Sequence, residues 1–192
     1  APALYRYFDS LDKLLERLTV YLFDECSGHI TTRMADADDP AGRMAATARE
    51  FRRWSLANPA EFTVMFASPV DGRGPLSAKH DLDGEVYAAA MRFCGVFLQI
   101  FTELWQHAPF PVPPEESIPL DLRQQLDAFR EFSGTPLPVG AVQIFVSCWI
   151  RLYGMVALEV FGHLRFALTN AEAMFETELA ACAQQLGIVV PR

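Results

Sequence analysis

Apolar side chains recur along this chain at steps of three and four residues, the spacing that gathers them on one side of an α-helix. Leu11, Leu14, Leu15, Leu18, Leu22 and Phe23 form one such stripe. Ser10 stands where it can cap that helix, with Asp12 and Lys13 in its first turn. The helix is expected to pass Cys26 and fray before Asp36-Ala37-Asp38-Asp39-Pro40, where Asp39 caps a second helix and Pro40 takes its first position. That second helix, with Met44, Ala48, Phe51 and Leu56 among its apolar positions, runs to about Asn58. A short helix follows from Ala60 to about Ala67, carrying Phe62, Met65 and Phe66.

Pro69 to Gly84 is rich in proline and glycine and reads as a loop; a long helix then spans about Gly84 to Gln106. The five prolines between Ala108 and Pro119 predict an irregular connection, because each removes a backbone donor and fixes φ. Leu120 to Phe132 reads as an amphipathic helix ended by Gly134 and Pro136. Two helices close the chain, Val139 to about Phe166 and Asn170 to about Leu186. No strand alternation and no internal repeat interrupts the pattern, so the fold class is all-α.

The helix from Val139 is apolar nearly all round. Val142, Phe145, Val146, Trp149, Tyr153 and Val156 make one face, and Ile144, Cys148, Met155 and Leu158 extend to others. A helix of that character needs cover on several sides, and a second subunit can supply one of them. A membrane span is not expected, because Arg151 and Glu159 interrupt the apolar run.

Composition sharpens this picture. The 192 residues are 51% hydrophobic and 21% charged, with 15 Phe, so much apolar surface needs a core, a pocket or a subunit contact. The net charge of −8 argues against a general nucleic-acid binder. Residues 1–20 differ from the rest in being balanced, with Arg6, Lys13 and Arg17 against Asp9, Asp12 and Glu16. Cys26, Cys94, Cys148 and Cys182 are widely spaced and form no C-x-x-C pair, which favours buried cytosolic thiols over disulfides or a zinc site. No basic segment followed by an apolar stretch marks a secretion signal.

Phe93, Phe97 and Phe101 recur every four residues with Trp105 one step on, and Phe62 and Phe66 pair on the short helix. Such a stripe is either ordinary core packing or the wall of an apolar pocket. Glu159 and His163 lie four apart, suited to a paired polar contact or an interface hydrogen bond rather than to a metal, for which no further ligands stand at suitable spacing. No nucleophile motif, glycine-rich phosphate loop or carboxylate pair is present, so neither catalysis nor a cofactor is expected.

The run Leu4-Tyr5-Arg6-Tyr7-Phe8, followed by Asp9-Ser10-Leu11-Asp12-Lys13-Leu14-Leu15, resembles the end of the helix-turn-helix reading unit of TetR-family bacterial transcriptional regulators. Trp54-Ser55-Leu56-Ala57-Asn58-Pro59-Ala60-Glu61-Phe62, and Trp149-Ile150-Arg151-Leu152-Tyr153-Gly154 onward to Glu159, are similar to the WHG-type effector domain of such regulators. Two departures stand out. The basic residue of the turn sits two positions late, at Lys13, and Tyr153 occupies the place of the subgroup's His.

The resemblance implies a remnant of a helix-turn-helix at residues 1–20 and a ligand-binding and dimerisation domain at 21–192. It implies DNA contacts at Ala3, Tyr5, Arg6, Tyr7 and Lys13, the aromatic hydroxyls and cations meeting phosphates rather than bases. It implies a pocket for a small apolar effector among Phe62, Met65, Phe66, Phe93, Phe97, Phe101, Trp105, Trp149 and Tyr153. A homodimer contact is expected through Val142, Phe145, Val146, Trp149, Val156, Glu159, Val160, His163, Phe175 and Leu179. The function so implied is a cytoplasmic repressor released from operator DNA by its effector. The competing expectation is an all-α carrier or sensor for apolar molecules that never touches DNA, favoured by the acidic charge and the incomplete reading head.

Overall fold

The computed structural model describes residues 10–67 and 84–189. Among them are seven α-helices and no strand: α1 (Leu11–Met34), α2 (Pro40–Ala57), α3 (Pro59–Phe66), α4 (Glu85–His107), α5 (Leu120–Ser133), α6 (Val139–Val160) and α7 (Glu172–Gln185). The caps foreseen from sequence form. Ser10 Oγ accepts from the Lys13 amide at 3.1 Å, and Asp39 Oδ1 accepts from the Gly42 amide at 2.9 Å. Asn58 closes α2 by donating its side-chain amide to the Trp54 carbonyl at 2.9 Å, so that Pro59 can begin α3 at once.

Helix α6 stops at Val160, earlier than the apolar pattern suggests. Gly162 takes φ +71°, the His163 amide reaches the Leu158 carbonyl at 2.8 Å, and the Gly162 amide reaches Glu159 O at 3.0 Å. That pair of bonds terminates a helix whatever the hydrophobicity of the next residues. Gly187 ends α7 in the same way, with Ile188 N bonded to Ala183 O at 3.0 Å. Helix α7 starts two residues late because Asn170 Oδ1 accepts from the Glu172 amide at 2.8 Å and holds a turn there.

Helix α1 packs mainly on α2 and α4, while α6 lies against α2, α5 and α7. Helix α2 is therefore shared by the two groups. Its arginines extend the junction: Arg43 reaches Glu103 of α4 at 2.8 Å, Arg49 forks onto Glu176 of α7 at 2.9 and 2.7 Å, and Arg52 forks onto Glu159 of α6 at 2.8 and 2.7 Å. The buried Glu50 is held by Arg53 on its own helix. The first turns of α1 depart from expectation: Leu11 and Leu18 are exposed, and full burial begins at Thr19 and Leu22. That end of the helix reaches past the described body of the bundle.

The proline-rich segment forms a strap over the start of α6. A Cβ built on Gly140 would lie 2.6 Å from the Pro113 carbonyl oxygen and 3.0 Å from Val112 Cβ, so only glycine fits. Gly140→Ala should cost roughly 1–3 kcal/mol by overpacking against backbone, measured by urea unfolding. Glu159→Ala should cost about 2–3 kcal/mol, because it strands the half-buried Arg52 guanidinium. The fork from Arg49 holds the Glu176 carboxyl below its ordinary value. Its contribution is therefore present at neutral pH and disappears as acid titration passes that lowered value, a loss that Glu176→Gln abolishes in pH-dependent melts.

Candidate functional site

Four helices enclose an apolar cavity beside the main aromatic cluster. Helix α2 contributes Met44, Thr47, Ala48 and Phe51, a single stripe at helical spacing. Helix α4 adds Phe97, Ile100 and Phe101, α6 adds Phe145, Cys148, Trp149, Leu152 and Tyr153, and α7 adds Cys182. The enclosed cavity amounts to about 40 Å³, and to about 550 Å³ only when the open space at its mouth is counted. No charged residue lines it, so a molecule entering it trades water for hydrocarbon and ring surface.

The rings are set edge to face and stacked, which fixes their positions. Phe97 meets Trp149 edge-on at 5.3 Å, Trp149 stacks on Tyr153 at 5.4 Å, and Phe101 meets Phe145 edge-on at 5.2 Å. Burial pushes the Tyr153 hydroxyl's pKa up, keeping it neutral. The neighbouring Cys182 and burial push the Cys148 thiol's pKa up, so it stays protonated.

Of the residues expected to line a pocket, Phe97, Phe101, Trp149 and Tyr153 do so. Phe62, Met65 and Phe93 are fully buried and fill the adjoining core, and Phe66 packs on them. Trp105 lies elsewhere, edge-on to Phe110 at 5.1 Å. The α2 wall was missed as a pocket wall, although Met44, Ala48 and Phe51 are legible as an apolar stripe. Cys148, Leu152 and Cys182 carried no signal of a pocket, since small and aliphatic residues on a buried helix look alike whichever side they face.

The expected subunit contact needs correction. Val142, Phe145, Val156, Phe175 and Leu179 are buried in the chain's own core and offer no surface to a partner. Glu159 is 15% exposed at its side chain and engaged with Arg52, not with His163. Trp149 faces the cavity, Val146 and Val160 are half-buried, and His163 is exposed. What α6 leaves open is a different stripe: Ile150 (66% exposed), Leu158 and Phe161. Gly154 lies between them at helical spacing, with no atom near the place a Cβ would take.

Helix α6 is long and apolar enough to cross a membrane by length and composition alone, with mean hydropathy 1.6. Here it is packed against α2, α5 and α7 and carries the Arg52 contact.

Lys13 lies in the first turn of α1, exposed and paired with Glu16 at 2.6 Å. Ala3, Tyr5, Arg6 and Tyr7 lie outside the described residues. Helix α1 runs unbroken through position 20, the expected boundary between reading unit and ligand domain. Among the described residues no group of three metal-ligating side chains comes together.

Residues 44–182 match the family described as tetracyclin repressor-like, C-terminal domain. The HTH-type transcriptional regulator Rv1816 of Mycobacterium tuberculosis is 26% identical over 184 residues, covering 93% of this chain and 74% of the relative. Mb1846 of Mycobacterium bovis, also an HTH-type transcriptional regulator, matches to the same extent. The crystal structure of SCO4313, described as a regulatory protein, superposes with a TM-score of 0.70 at 25% identity, over 95% of this chain and 78% of that one.

Phe97→Ala should enlarge the cavity at a cost of about 2–4 kcal/mol in urea unfolding. Calorimetry should then detect tighter binding of benzene than to the parent chain, as an apolar void of that kind stays dry.

Proposed function

The chain belongs to the tetracyclin repressor-like transcriptional regulators, and from that premise we propose that it is an operator-binding repressor, working in the cytoplasm and released by a small apolar effector. The observation that carries this reading is the uncharged cavity between α2, α4, α6 and α7. An effector seated there would press on Phe97 of α4 and Phe51 of α2. Both helices are the main supports of α1, α4 through Phe23–Phe93 at 5.6 Å and the Arg92–Asp24 pair at 2.8 Å, and α2 through Glu50, 3.9 Å from Arg33. Helix α1 would carry the displacement toward residues 1–20, the proposed remainder of the reading unit.

Binding alone does not switch such a protein. The effector must prefer one arrangement of the helices, and the operator the other. In a two-fold dimer the arrangement that matters is the distance between reading heads, since half-sites are spaced by the helical repeat of DNA. Tyr5, Arg6 and Tyr7, with Lys13, are proposed as phosphate contacts that set register.

For the dimer we propose the outward stripe of α6, Ile150, Gly154, Leu158 and Phe161, together with the exposed Met174 of α7. Exposed aliphatic side chains around a glycine with open space above it suit the close approach of a second helix. A homodimer built on this stripe buries what the chain alone leaves in water.

Replacing Ile150 and Leu158 together with Glu should yield monomers in sedimentation velocity; an unchanged dimer moves the contact elsewhere. Arg6→Ala in the full-length protein should weaken binding to its own upstream DNA for all sequences alike. It should also reduce the salt dependence by about one contact's worth, read by fluorescence anisotropy. An apolar ligand that binds the cavity yet leaves operator affinity untouched would refute release by an effector.

A further inference from the structure

Serine and threonine hydroxyls inside a helix commonly bond the carbonyl one turn back. The described helices keep to this habit: Thr19 Oγ1 donates to Leu15 O at 2.8 Å, Thr63 to Pro59 at 2.8 Å, Thr102 to Leu98 at 3.0 Å and Thr177 to Ala173 at 2.9 Å. Thr47 does not. It sits in the middle of α2, 1% exposed, and its Oγ1 has no partner. Ser55, two turns on along the same helix and equally buried, bonds Phe51 O at 2.7 Å, so nothing about α2 forbids the usual bond. The difference is that Thr47 lines the cavity and Ser55 does not.

A buried hydroxyl without a partner bears the full cost of leaving water, and a ligand atom that bonds to it removes that cost. A water molecule is a poor substitute, since it needs two to four polar neighbours. The Cys148 and Cys182 thiols are only weak hydrogen-bonding groups, and most of the remaining wall is hydrocarbon or aromatic ring. Building on the cavity reading proposed above, we infer that the effector is an apolar molecule bearing a single hydrogen-bonding oxygen, a carbonyl, ether or hydroxyl, which is received by Thr47. A pure hydrocarbon of the same shape fills the space but leaves the hydroxyl stranded.

Acetophenone and ethylbenzene differ by one carbonyl and serve as probes in isothermal titration calorimetry on the full chain. Thr47→Val should lower acetophenone affinity about tenfold while leaving ethylbenzene affinity unchanged or raised. The comparison between variants cancels the ligands' own desolvation. Thr47→Ser should retain acetophenone binding within about threefold of the parent. The ligand-free Thr47→Val protein should melt about 2–4 °C higher, having lost an unsatisfied group; Thr47→Ala repeats the binding comparison if valine crowds the wall. An equal change for both probes, or none for either, overturns the role of Thr47 while the cavity reading stands. Binding of neither probe to the parent chain overturns both.

Discussion

The Phe51 ring lies between 5.7 and 6.3 Å from five others, Phe62 and Phe66 of α3, Phe93 and Phe97 of α4, and Trp149 of α6. One side chain thus joins α2 to three other helices, and Phe23 brings α1 into the same cluster through Phe66 and Phe93 at 5.6 Å. Burial of a phenylalanine contributes about 1.5–3 kcal/mol, and each well-set ring pair roughly 0.5–1.5 kcal/mol beyond the area. The cluster is what joins α1 and α6, which belong to different groups of helices, in one packed core.

Around that apolar centre, α2 directs its arginines to the periphery. Arg43, Arg49 and Arg52 each end on a carboxylate of a different helix, and Arg52 also lies 5.3 Å from the Phe175 ring. Forked guanidinium–carboxylate pairs constrain angle as well as distance. They hold α4, α6 and α7 at set positions about α2 and leave the unfilled space on one side of Phe51. The cavity is therefore a consequence of how α2 is anchored: rings pack tightly toward α3, while small or slim residues such as Ala48, Thr47, Cys148 and Cys182 fail to fill the opposite side.

This arrangement connects the cavity to α1 in a tetracyclin repressor-like regulator without a long chain of intermediates. Phe97 borders the cavity and touches Phe93, which touches Phe23 of α1. Interiors packed at this density do not deform smoothly, so a ligand that displaces one ring forces its neighbours to choose another arrangement.

Much was legible in the chain alone. Period, caps and proline placement located every described α-helix, and the caps at Ser10 and Asp39 formed with the residues expected, because such signals act within a few positions of one another. The run after Val139 announced a helix needing cover on several sides, but not which sides the chain itself covers. Tertiary packing decided that Val142, Phe145 and Val156 face inward and Ile150 and Leu158 outward, on a helix where every face is apolar and periodicity cannot rank them. It also assigned Glu159 to Arg52, more than a hundred residues earlier, and left Thr47 facing a space. Local signals specify the helices because their partners are near in sequence. Which apolar face is buried, and which polar group lacks a partner, depends on residues brought together only by the fold.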